Sequence, residues 1–188
     1  MKPGAGKRKG SAFERKVCVL LSLWVTEGKR KDVFWRSAMS GGRATVHGTQ
    51  VRQAGDVCAV APEGHSFADR YFVECKMYRN IRLPLFVLHG KGPLAKWWKV
   101  ARQQAVTHKR LPWLIVCQNN LPILLLSMPN DDDRYRGMDK ALITIGGVCC
   151  SIQLLSSVLQ RKYHANDSDR RLAPQRQSTR PVPTRLRL

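Results

Sequence analysis

The spacing of apolar residues switches repeatedly along this 188-residue chain, and the order of the switches restricts its fold. Phe13, Val17, Leu20, Leu21 and Trp24 fall three or four apart. That spacing predicts a helix opening at Ser11 and closed by Gly28 and the Lys29-Arg30-Lys31 run. Strand-type runs follow at 33–36, 56–60 and 70–76, the last two separated by a turn holding Pro62 and Gly64. Pro84, Gly90, Gly92 and Pro93 predict an irregular connection. Leu94, Trp97, Trp98, Ala101 and Ala105 then restore helical spacing, with Lys96, Lys99 and Arg102 off the stripe. Runs at 113–117 and 123–126 flank Asn119-Asn120 as a hairpin of buried strands. Residues 37–53 and 128–140 read as loops, and 141–159 is apolar without a decided type. Helix, strands, helix, strands predicts an α/β domain with a central mixed sheet flanked by helices.

Charge narrows the partner. Lys and Arg number 33 against 13 Asp and Glu, a net +20, and such an excess in a compact fold points to a polyanion. Nucleic acid leads and an anionic membrane surface is second. Residues 1–10 carry +4 and residues 161–188 carry +6, both in polar stretches expected to be disordered; the domain at 11–160 keeps +10 of its own. The apolar run at 17–25 sits behind a basic N-terminus but lacks a small-residue cleavage site and is too short to span a bilayer, so it reads as a buried helix. Cys18, Cys58, Cys75, Cys117, Cys149 and Cys150 form no C-x-x-C, and the five histidines show no paired spacing. Most of these thiols lie in apolar runs, which implies a reducing, intracellular, cytoplasmic compartment and no structural zinc.

The chemistry concentrates in Gly55-Asp56-Val57 and Val73-Glu74-Cys75-Lys76. Glu74 and Lys76 project from one face of a strand, with α-carbons about 6.5–7 Å apart. A hairpin centred on His65 would set Asp56 opposite Glu74. Facing carboxylates repel, and a divalent cation between them reverses that sign. Oxygen-only ligands with room for water and phosphate suit Mg²⁺, with Mn²⁺ as a substitute. Lys76 is placed to orient an attacking water and to offset charge at a phosphoryl centre.

Asp56, the Glu74-Cys75-Lys76 E-x-K and Glu14 on an N-terminal helix together resemble the PD-(D/E)xK nuclease superfamily. The opening Lys9-Gly10-Ser11-Ala12-Phe13-Glu14-Arg15 is similar to the start of archaeal-type Holliday junction resolvases, some of which occur in phages. The resemblance covers approximately residues 9–127, with Gly55-Asp56 standing where the superfamily has Pro-Asp. It implies a restriction-endonuclease-like core and a metal-dependent endodeoxyribonuclease that makes paired cuts in branched DNA as a homodimer. It also implies that Glu14 joins Asp56 and Glu74 at the metal. A serine in the loop before the aspartate would approach DNA, which falls on Ser37 or Ser40, with Arg36 and Arg43 beside them. Lys96, Lys99 and Arg102 are further candidate phosphate contacts.

Plainer readings stand beside these. Ser11-Ala12-Phe13-Glu14 has the form of a capping box, in which Glu14 only reaches back to the Ser11 amide. Asp131-Asp132-Asp133 reads as a solvated loop. Trp97 and Trp98 read as core before they read as base-stacking groups, and Gln103 and Gln104 are polar residues on the helix after the E-x-K strand. The enzymatic alternative is a restriction- or repair-type nuclease on duplex or single-stranded DNA. The alternative of another class is a non-catalytic basic DNA-binding protein, which would gain nothing from acids beside phosphate.

Overall fold

The computed structural model describes residues 5–37, 54–129, 140–145 and 148–163. The chain opens with α1 (Ala5–Val25), then β1 (Phe34–Arg36) and β2 (Val57–Ala59). A 3₁₀ turn (Pro62–Gly64) leads into α2 (His65–Arg70), β3 (Tyr71–Tyr78), α3 (Leu83–His89) and α4 (Pro93–Thr107). The remainder is β4 (Leu111–Gln118), β5 (Leu124–Ser127), β6 (Ala141–Ile145), β7 (Val148–Leu154) and α5 (Leu155–Leu159).

Among the described residues a five-stranded sheet runs in the order β3-β4-β5-β7-β6. β3 and β4 are parallel, as a crossover through α3 and α4 requires, and the other pairs are antiparallel. β1 and β2 form a separate antiparallel ribbon, with Trp35 opposite Cys58. The sheet is therefore mixed and flanked by helices on both faces, the α/β restriction-endonuclease-like arrangement expected from the sequence.

Alternation along the strands builds the two cores. Val73, Cys75, Trp113, Ile115 and Leu125 pack with Phe13, Val17, Leu21 and Trp24 of α1 and with Leu155 and Val158 of α5. Leu114, Val116, Leu126 and Ile152 face the other way, onto Phe86 of α3 and Leu94, Trp98 and Ala101 of α4. Burying each Val, Leu, Ile or Phe side chain among these stabilises the fold by about 1.5–3 kcal/mol. Trp24 also donates from its indole nitrogen to the Arg161 carbonyl at 2.6 Å, which fastens the chain after α5 to α1. The six cysteines are all free thiols. Among the described residues no helix is long and apolar enough to cross a membrane.

The structure departs from the sequence expectations at four places. α1 begins at Ala5, so Ser11 lies inside the helix and cannot cap it. Between β2 and β3 the chain forms a 3₁₀ turn and α2 instead of a hairpin around His65, and β2 pairs with β1. The Pro- and Gly-marked stretch after β3 contains α3: Pro84 sits in its first turn, where a missing N–H costs nothing, and Gly90 closes it in the left-handed conformation. The undecided stretch after 140 supplies β6, β7 and α5. Ser40, Arg43 and Asp131-Asp132-Asp133 lie outside the described residues.

Candidate active site

Asp56 immediately precedes β2, yet its hydrogen bonds run to β3. Its amide donates to the Val73 carbonyl at 2.9 Å, and its carboxylate Oδ2 accepts from the Cys75 amide at 2.8 Å. Those two groups bracket Glu74, so Asp56 lies along the free edge of β3 at the level of that residue. On its other side the Asp56 carbonyl accepts from the Ser37 amide at 3.0 Å, which ties the end of β1 to the same point. The sequence expectation that Asp56 meets Glu74 is reached by a route other than a hairpin.

Gly55 makes this approach possible. It has φ of +90°, and a Cβ there would stand 2.6 Å from the Val73 carbonyl oxygen. Proline is held near a φ of about −65° and carries a Cβ, so the Pro-Asp of the wider superfamily does not fit this backbone. Glycine is the residue that lets the chain pass this close to β3.

Glu74 and Lys76 share one face of β3 and form an ion pair with each other. Burial alone would lower the Lys76 pKa, but the Glu74 carboxylate offsets it and the net shift is upward, so the ammonium stays charged. The opposite face of β3, through Val73 and Cys75, belongs to the α1 core. Glu14 reaches the site from α1, where its carboxylate is ion-paired with the Arg36 guanidinium at the end of β1. The capping-box alternative for Glu14 falls with the helix start at Ala5.

Electrostatics tie the acids together. Asp56 is 6 % exposed, and its carboxyl is pushed up to about 7. Burial contributes most, followed by the Glu74 charge, with a smaller push from Glu14; the Cys75 amide and Lys76 oppose them. A buried acid raised by neighbouring acids is a characteristic of functional sites. Among the described residues no group of three or more His, Cys, Asp or Glu side chains is placed to hold a metal ion. Glu74 and Glu14 each turn toward their own cation. The donor chemistry nevertheless suits a hard divalent ion: the groups near Asp56 are carboxylates, and their mutual repulsion is what such an ion would relieve.

A model of the family described as "Phage putative PDDEXK endonuclease" matches residues 5–148. The chain belongs to this family. It is thus a member of the PD-(D/E)xK-type nuclease superfamily, a group whose members bind nucleic acid. No curated protein and no solved structure matches the chain. The match runs from the first described residue of α1 to the start of β7, so it takes in Glu14, Asp56, Glu74 and Lys76.

The remaining expected contacts of this phage PDDEXK member divide by exposure. Lys96 and Lys99 are exposed on α4. Arg102 is half-buried and lies near Cys150 of β7, whose pKa it lowers against a larger upward push from burial. Arg36 is committed to Glu14. Ser37 is 2 % exposed, which weighs against direct contact with DNA. Sequence reasoning missed the Cys75 amide, Gly55 and Ser22. The Ser22 hydroxyl accepts from the Phe34 amide at 2.9 Å and donates to the Cys18 carbonyl at 2.8 Å, which sets β1 against α1. A Gly-Asp pair ahead of an E-x-K strand was a signal for Gly55; nothing in the sequence marked the other two.

Proposed function

We propose that this phage PDDEXK member is a Mg²⁺-dependent, structure-selective DNA endonuclease, a Holliday junction resolvase that makes paired phosphodiester cuts as a homodimer. The observation that carries the nuclease reading is the hydrogen bonding of Asp56 along the β3 edge on either side of Glu74, with Lys76 on the same face as Glu74. Asp56 and Glu74 would hold Mg²⁺ or Mn²⁺, with Glu14 as a further carboxylate once it releases Arg36. When bound, the ion polarises a phosphoryl oxygen and lowers the pKa of an attacking water. Lys76 keeps its proton and orients the water while offsetting charge on the phosphoryl oxygens. Arg36, freed from Glu14, becomes available to a phosphate of the strand being cut. The junction preference draws support from the net +20, spread over the domain as well as both ends, which fits a broad or branched phosphate surface better than groove reading.

The test is to incubate the protein and Mg²⁺ with labelled four-way, flap and linear duplex DNA and to map the cuts. Paired, symmetric nicks in four-way DNA with little cutting of linear duplex are expected, from a dimer in solution. Asp56→Ala or Glu74→Ala should abolish cutting while DNA binding survives. Retained Mg²⁺-dependent cutting by either variant overturns the site. Equal cutting of linear duplex, or an active monomer, leaves a general endonuclease in place of the resolvase.

A further inference from the structure

The face of β3 that carries Glu74 and Lys76 begins with Phe72 and ends with Tyr78, and its two ends differ. Phe72 is sealed: it is 3 % exposed, packs with Ala54 and Ala105, and lies parallel to the His108 ring at 5.7 Å. Tyr78 is 54 % exposed. Its ring meets Trp97 of α4 at 5.3 Å with 72° between planes. Such an edge-on contact leaves at least one face of the tyrosine free of the tryptophan. Trp98 is the core residue of the Trp97-Trp98 pair, at 1 % exposed, while Trp97 lies off the buried Leu94–Trp98–Ala101–Ala105 stripe. An open aromatic ring thus ends the row that carries the candidate catalytic acid. At strand spacing it stands about 13 Å from Glu74, a length spanned by roughly two to four nucleotides.

The surroundings are cationic. Arg79 and Arg82 are exposed between β3 and α3, and Lys96 is exposed beside Trp97. No Asp or Glu occurs between Glu74 and Asp131. An exposed aromatic ring flanked by such cations is the arrangement that binds unpaired nucleic acid, with bases stacked on the ring and phosphates on the basic groups.

We propose that Tyr78, supported by Trp97, is a stacking platform for an unpaired base of the DNA strand held at Glu74 and Lys76, with Arg79, Arg82 and Lys96 on its phosphates. The protein then selects DNA whose bases are unstacked close to the cut, as at a branch point or in a single strand, because a base stacked inside a duplex offers no free face. This inference rests on the reading of Asp56, Glu74 and Lys76 as the cutting site.

The test uses the full chain and forked DNA with 2-aminopurine at successive single-stranded positions, a base whose fluorescence is quenched by stacking. Binding is followed with chelator present and cutting with Mg²⁺. Wild type should quench at the positions nearest the cut. Tyr78→Leu should lose that quench and weaken binding to the fork, relative to blunt duplex, by at least about fivefold, whereas Tyr78→Phe should keep both. Thermal melting checks that the exposed substitution leaves the fold intact. Unchanged quenching in Tyr78→Leu, or an equal loss on blunt duplex, overturns the platform while leaving the nuclease reading standing. Absence of Mg²⁺-dependent cutting of any DNA by wild type overturns the nuclease reading itself.

Discussion

At residue 55 the backbone leaves room for hydrogen and nothing larger, and Asp56 depends on that clearance. A methyl group at Gly55 would meet the Val73 carbonyl at 2.6 Å in a conformation, φ +90°, that L side chains rarely adopt. Gly55→Ala should therefore cost about 1–3 kcal/mol or more of stability and move Asp56 off the β3 edge. Denaturant melts should register the first effect, and a drop of more than tenfold in cutting rate the second. Asp56 itself links folding to pH. Its carboxyl rises from 3.8 to about 7 in the fold, chiefly through burial and the Glu74 charge. Between those values the folded state binds more protons than the unfolded chain, so stability falls as pH rises through this window and levels off above it. Metal-free protein should show that decline, on the order of a few kcal/mol, in melts from pH 4 to 8. Asp56→Asn should flatten it, and a curve unchanged by the substitution would place the charge burial elsewhere. Glu74 and Lys76 were legible in the sequence because period two fixes which strand residues share a face. The Cys75 amide was not, since any residue has one.

α1 acts as the mount for the site's outer parts. Its Ser22 fixes the start of β1, and its Glu14 holds Arg36 at the end of that strand. The sequence showed the stripe but misjudged the beginning, because Ser11 and Glu14 have the spacing of a cap whether or not a helix starts there. With the cap excluded, Glu14→Gln tests what remains. The pair is largely buried, but Gln keeps an oxygen that can still accept from Arg36, so melting should fall only modestly. Single-turnover cutting should slow at least tenfold if Glu14 serves the metal. An unchanged rate would leave it as the partner of Arg36 alone. α3 is an instructive miss of the opposite kind. Prolines and glycines at 84, 90, 92 and 93 looked like punctuation of a loop, but the first two frame a seven-residue helix from either end.

Across the whole molecule, charge and packing set different limits to the domain. Residues 161–163, assigned by composition to the tail, are attached: Trp24 donates to the Arg161 carbonyl, and the Tyr163 ring meets Trp24 at 5.0 Å while its hydroxyl is 2.6 Å from the Ser66 hydroxyl. A deletion that removes charge while sparing these contacts should therefore start at 164. Residues 164–188 contain six Arg and two Asp. Removing them should weaken DNA binding and reduce its dependence on salt, with Mg²⁺-dependent cutting retained. Titration at several salt concentrations measures the slope. A deletion from 161 should also lower the melting temperature, because it removes the contacts of Arg161 and Tyr163.

The sequence by itself determined the layers and the shared strand face of Glu74 and Lys76. Apolar periods of about 3.6 and 2 dictate which residues turn inward on helices and strands, and an acid and a lysine two apart on a strand must share a face whatever surrounds them. Its net charge, which needs no fold to be counted, also pointed toward a polyanion. Only the tertiary structure decided how Asp56 reaches Glu74. The local pattern around His65 fitted a hairpin, but the chain there forms α2, which buries Phe67 and Ala68 in the α1 core, while β2 pairs with β1. Asp56 then meets β3 through backbone contacts at a glycine, and such contacts between segments distant in sequence depend on packing that no local spacing encodes.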